Sequence, residues 1–181
     1  ALCLNSTGKF NTAIGADALT KSTNGYNTAV GKNALYNTTS GQYNTAMGLS
    51  VMYNNTTGGR NSAFGRSALS SNTTAADNTA SGFYSLYSNT TGNSNTAAGS
   101  CALRNNTEGC LNNAFGKRAL RSNTTGIHNL AIGNDALYGN TTGNYNTASG
   151  YYALGVGAAG CENAAFGYKA GMGVNGGKYN T

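Results

Sequence analysis

Residues 134–150 read NDALYGNTTGNYNTASG, and residues 83–99 read FYSLYSNTTGNSNTAAG. The two stretches carry the same leucine, the same NTTG and the same NTAxG at the same offsets. Glycines from Gly31 to Gly167 follow one another at 17-residue intervals, and Gly15 joins them once a single deletion beside Gly25 is allowed. A partial copy (ALCLNSTGKFNTAIG) opens the chain and another (YKAGMGVNGGKYNT) closes it. Numbered so that this glycine takes the last of the 17 places, the unit is xxALxxNTTGxxNTAxG. Repetition at one short fixed period is the mark of a solenoid.

Copies compared within the chain show which places are physically constrained. The thirteenth is Asn in all 11 copies, at Asn11, Asn27, Asn44, Asn61, Asn78, Asn95, Asn112, Asn129, Asn146, Asn163 and Asn180. The fifteenth is Ala and the seventeenth Gly in the 10 copies that reach them. The fourth is Leu, or Met at Met52, until Gly171; the third is Ala, with Val51 and Ser85 in its stead; the tenth is Gly except at Ala75. Asn-Thr-Ala-x-Gly reads as a short strand whose alternate side chains face inward and stay small. A second short extended segment is expected around Ala-Leu, bringing the one bulky inward residue. The NTTG stretch and the closing glycine are expected to turn the chain, glycine tolerating positive φ. The fold class is therefore all-β: a β-solenoid or parallel β-roll of about ten 17-residue coils. Residues 1–150 form the regular array, and 151–181 are degenerate, Gly-rich terminal repeats of the same solenoid. Leucine-rich repeats need about 20 to 29 residues and helical hairpins about 34, and the Asn and Gly content opposes helix.

Composition fits this reading. Among 181 residues there is no Pro and no Trp, and charged residues make up 9%. Little apolar material is left for a conventional core, yet the high net charge of disordered chains is also missing. Regular backbone pairing has to hold such a chain together. No run approaches the roughly 18 apolar residues of a membrane span, so no membrane insertion is expected. The chain opens at Ala1 without a leader pattern, as a trimmed product would.

The side chains support no catalytic assignment. The acids Asp17, Asp77, Glu108, Asp135 and Glu162 are scattered over different coils, and His128, the only histidine, takes a twelfth place where other copies have Tyr or Phe. No nucleophile–base set can be assembled, and neither a metal site nor a cofactor is expected. Cys3, Cys101, Cys110 and Cys161 form no CxxC; Cys101 and Cys110 are a candidate disulfide pair. Candidate N-glycosylation sequons stand at Asn5, Asn37, Asn55, Asn72, Asn89, Asn105, Asn123 and Asn140, with Asn54 overlapping one of them. The same asparagines and threonines could instead form hydrogen-bonded ladders between coils. The asparagines from Asn11 to Asn163 at the thirteenth place are expected to be inward amide ladders. Threonine columns at the eighth place (Thr73, Thr90, Thr124, Thr141) and the fourteenth (Thr79, Thr96, Thr147) raise ice binding as an alternative.

Net charge is +6, with Arg104, Lys117, Arg118 and Arg121 on two adjacent coils. Arg104 and Arg121 share the fifth place, about 5 Å apart in a stack, which would suit an anionic polysaccharide. No aromatic-basic platform for nucleic acid accompanies them. The sixteenth place runs from Phe64 to Ser81 to Phe166, a tolerance that fits an exposed or intermolecular face. One Leu and two Ala per coil are scant core material, so burial against other copies is expected, as a coaxial trimer or a head-to-tail filament.

The unit resembles the shaft repeats of phage and virus tail-fibre proteins and of bacterial surface-fibre proteins. Its Asn-x-Ala-x-Gly core, seen in NSAFG, NNAFG, NTAIG and NLAIG, is more distantly similar to the head repeat of trimeric autotransporter adhesins. The resemblance covers nearly the whole chain. It implies an elongated, often trimeric β-roll acting as shaft, coat or glycan-binding adhesin, extracellular or on a cell or virion surface. The 17-residue length and the NTT element depart from the adhesin pattern.

Overall fold

The computed structural model describes residues 1–2, 7–156, 160–174 and 177–180. Its strands are β1 (Thr12–Ile14), β2 (Thr28–Val30), β3 (Thr45–Met47), β4 (Ser62–Phe64), β5 (Thr79–Ser81), β6 (Thr96–Ala98), β7 (Asn113–Phe115), β8 (Leu130–Ile132), β9 (Thr147–Ser149) and β10 (Ala164–Phe166). They pair in parallel, each with the next in the chain, so that β1 to β10 form one 10-stranded sheet in sequence order. Register is strict: Ala13 faces Ala29, Ala46 faces Ala63 and Ala97 faces Ala114. The chain is a β-solenoid, and no helix occurs among the described residues. At the ordinary strand spacing, β1 and β10 lie about 43 Å apart along the axis.

The strand is short because the inward requirement is short. Alanine at the fifteenth place is buried in every coil from Ala29 to Ala165, while its neighbours on either side point outward. The closing glycines have φ between 112° and 142° from Gly15 to Gly167. From Gly15 to Gly150 a Cβ would also run into the backbone of the next coil's glycine. Conformation and close approach thus both demand glycine there. The tenth-place glycine has a different reason. At Gly41, Gly58, Gly92, Gly109, Gly126 and Gly143 φ is not left-handed, but a Cβ would collide with the next coil's tenth-place carbonyl oxygen.

The Ala-Leu segment is not the second strand that periodicity predicts. Its leucines, from Leu19 to Leu154, have φ between 46° and 52°, and the second and twelfth places are left-handed too, as at Asn33 (61°) and Tyr43 (59°). The physical reason lies in the hydrogen bonds. A left-handed residue turns its N–H along the axis: Leu35 N donates to Val51 O (3.0 Å) on the following coil, and Asn33 N to Ala16 O (2.9 Å) on the preceding one. Each such conformation costs about 1–2 kcal/mol for a non-glycine residue. Stacking on two neighbouring coils holds it in place.

The core is one column of leucines, with Met52 among them, flanked by alanines of the third and fifteenth places. Asparagines from the seventh and thirteenth places share it, most of them at 0–2% exposure. At the last coil Gly171 replaces the leucine, and an open hollow of about 450 Å³ remains beside Leu154, Ala165 and Val174. The deletion near Gly25 falls just before Asn24. Asn24 O accepts from Asn11 Nδ2 (2.9 Å) and Ser22 Oγ (2.9 Å), the part played elsewhere by the tenth-place carbonyl, and Gly25 stands in the eleventh place.

Candidate functional site

Two asparagine ladders occupy the interior. In the thirteenth-place ladder, Asn95 N and Nδ2 both donate to Asn78 Oδ1 of the preceding coil (2.9 and 3.2 Å). Asn95 Nδ2 also donates to Gly109 O of the following coil (2.8 Å), while Asn95 Oδ1 accepts from Asn112 N (3.0 Å) and Asn112 Nδ2 (3.2 Å). One side chain therefore binds three coils. The pattern repeats from Asn44 to Asn163. Asn11 and Asn180 stand at the two ends of this ladder: Asn11 Oδ1 accepts from Asn27 N (3.0 Å), and Asn180 Nδ2 donates to Asn163 Oδ1 (2.7 Å).

The seventh-place ladder is formed by the NTT asparagines. Asn106 Nδ2 donates to Asn89 Oδ1 (2.8 Å) and to Gly109 O of its own coil (2.8 Å). Gly109 O thus accepts from Asn106 and Asn95 together, which fills both lone pairs of a buried carbonyl. This shared acceptor explains the crowding that keeps the tenth place small. Thr38 and Ser22 take the seventh place in the earlier coils, and Asn55 Nδ2 reaches Thr38 Oγ1 at 3.4 Å.

The candidate glycosylation positions therefore divide. Asn55, Asn72, Asn89, Asn123 and Asn140 are 0–2% exposed, with Nδ2 bonded inside the coil stack. A glycan is linked through that nitrogen, so the folded rod leaves it no room at these five positions, and the hydrogen-bonded ladder is the alternative their geometry fits. Asn37 and Asn105, at the sixth place, are partly exposed, Asn54 is exposed, and Asn5 lies outside the described residues. Eighth-place threonine hydroxyls are also spent along the axis: Thr73 Oγ1 donates to Thr90 O (3.1 Å) and Thr124 Oγ1 to Thr141 O (3.0 Å). The fourteenth-place threonines Thr96 and Thr147 are partly exposed and Thr79 is exposed on the outer strand face.

Cys101 and Cys110, the candidate disulfide pair, both carry free thiols. Cys101 sits at the second place and Cys110 at the eleventh, on separate columns of one coil. Cys110 Sγ accepts from Asn93 N (3.2 Å) and donates to Glu108 O (3.3 Å). Arg104 and Arg121, on successive coils at the fifth place, turn in opposite directions along the axis. Arg104 turns back over the rings of Tyr84 and Tyr87 (5.6 and 5.9 Å), whereas Arg121 turns forward, its Nη1 donating to the Tyr138 hydroxyl (2.8 Å).

Two ion pairs between adjacent coils escape a reading that weighs the acids only against one another. Arg60 pairs with Asp77 (2.6 Å), and Arg118 with the buried Asp135 (2.7 Å). Each pair is 17 residues apart, so the period itself was the signal. The Arg60 hydrogen bond holds the Asp77 carboxyl below its ordinary range. His128 lies face to face with Tyr145 (ring centroids 4.9 Å), as Tyr26 does with Tyr43 (5.0 Å). Among the described residues, no three His, Cys, Asp or Glu side chains gather, and no helix is long and apolar enough to cross a membrane.

The outside carries exposed apolar side chains in more than one column, the twelfth place contributing Phe10, Tyr26, Tyr43, Leu111 and Tyr145. Along the sixteenth place Ile14, Met47, Phe64, Phe115, Ile132 and Phe166 stand out from the sheet, and beside them along the first place stand Leu49, Phe83, Tyr151 and Tyr168; their exposures run from 39% to 71%. Sixth, eighth and ninth places carry mainly Asn, Ser and Thr. No protein-family model, curated protein or solved structure matches this chain.

Proposed function

We propose that the chain is the structural subunit of an extracellular fibre or filament, a shaft or surface coat on a cell or virion, whose product is length. The observation that carries this reading is the direction of the buried hydrogen bonds. Amides of both asparagine ladders bind from coil to coil, so the interior chemistry is spent on continuing the stack. The resemblance to tail-fibre and surface-fibre repeats points the same way, and the partner in this reading is another copy of the chain.

Electron microscopy of the purified chain tests the proposal. Straight rods at least about 43 Å long, or filaments built from them, are expected. Compact particles without a long axis would refute it. A glycan-binding adhesin is the rival: a glycan array that retains the folded chain at one sugar class, with no rods or filaments in the micrographs, would replace the shaft reading.

A further inference from the structure

We propose that the stripe of sixteenth and first places is the face on which a second copy of the chain seats itself side by side, sheet against sheet. The inference rests on the rod described above and adds to it a lateral partner.

Three observations support the stripe as an interface. The fold does not need these apolar side chains: Ser81 and Ser149 hold the sixteenth place in β5 and β9, and both strands pair with their neighbours in the same register as the Phe-bearing ones. Something other than coil stacking therefore accounts for the Phe, Ile and Met. The stripe is also large. A whole aromatic side chain presents about 150–250 Å², so ten roughly half-exposed residues offer on the order of 800 Å². Spread over the length of the sheet, that sum equals about one partner's share of a stable interface. Finally, the stripe runs the length of the sheet from Ile14 to Phe166, its apolar residues set at whole multiples of the coil spacing and interrupted at Ser81 and Ser149 and, at the first place, at Lys32, Arg66 and Lys117. A partner that follows it without falling out of step needs the same repeat of about 4.8 Å, and a second copy has it. Ridges formed by Phe64 and Phe115 then interdigitate with another sheet at the usual spacing of about 10 Å.

The repeat supplies variants that keep the fold. Met47→Ser, Phe64→Ser, Phe115→Ser and Ile132→Ser together place at four coils the residue that β5 and β9 already carry. Control changes Tyr26→Ser, Tyr43→Ser and Tyr145→Ser do the same for the twelfth place, where Ser94 stands naturally. Sedimentation equilibrium of the full chain should show a dimer or larger assembly, with the four-Ser variant dissociating on the order of 100-fold more readily and the control unchanged. Circular dichroism should be the same for all three. A monomeric parent chain would overturn the proposal, as would undiminished association of the four-Ser variant, which would assign self-association to the coil ends. Loss of association in the control, or a monomeric parent that floats with phosphatidylcholine vesicles, would also overturn it. Rods seen by microscopy in a monomeric sample would leave the shaft reading standing, so the two ideas fail separately.

Discussion

Replacing Asn95 by Ala is the sharpest probe of the amide ladder. The change removes two bonds donated by Nδ2, to Asn78 Oδ1 and Gly109 O, and two accepted by Oδ1, from Asn112 N and Asn112 Nδ2. Most partners keep a second contact. Gly109 O retains Asn106 Nδ2, Asn78 Oδ1 retains Asn95 N, and Asn112 Nδ2 retains Gly126 O. Asn112 N is left as a buried donor without an acceptor, at a cost of about 1–3 kcal/mol. With about 1 kcal/mol for each of the three further bonds lost, the expected total is roughly 4–6 kcal/mol. Asn106→Thr, which copies Thr38, orphans no backbone donor and should cost about 1–2 kcal/mol. Urea unfolding followed by circular dichroism measures both, and hydrogen exchange reads the Asn112 amide directly. Equal destabilisation by the two changes, or an Asn112 amide as protected in Asn95→Ala as in the parent chain, would refute the reasoning.

Further outcomes follow from the packing. Gly99→Ala should destabilise by more than about 3 kcal/mol, since φ is 142° there and the next coil's backbone blocks a Cβ. Gly92→Ala should cost clearly less because Ala75 already occupies the tenth place; thermal melts compare them. Gly171→Leu should stabilise by about 1–3 kcal/mol by extending the leucine column into the hollow beside Leu154, with φ at 62° already near the leucine value; a lower melting temperature would count against that packing. Chain secreted from a eukaryotic host and purified folded should carry glycan only among Asn5, Asn37, Asn54 and Asn105, as read by peptide mass spectrometry; occupancy at Asn72 or Asn123 would contradict their burial.

The period, the parallel stack and the inward set of Ala, Leu and thirteenth-place Asn were legible because a place that contacts its own image above and below tolerates little change. Asn95 and Ala97 announce their burial by recurring in every copy. Leu103 announced its burial but not its backbone. Leucine has no local preference for φ near 48°, and the conformation exists only because the coils above and below accept its bonds. Asn89 was ambiguous for another reason: an NTT triplet satisfies both the glycosylation pattern and a ladder, and only the position of Gly92 O decides between them. Asp77 and Asp135 needed a comparison across one full period with Arg60 and Arg118, rather than with other acids. For the apolar stripe, the alternation of Phe and Ser pointed to an outward column, and the structure adds the neighbouring first-place residues that widen it.

The socket around Gly109 O has one more consequence. Because Asn95 reaches from the coil before and Asn106 from within, each coil from that of Asn55 to that of Asn140 presents the same pair of hooks below and the same acceptor above. Excising residues 83–99 would set Asn78 against Asn112 with an identical fit, whereas removing a stretch of another length would strand both hooks. Such a chain can be lengthened or shortened only in whole steps of about 4.8 Å, like a measuring stick cut at its gradations.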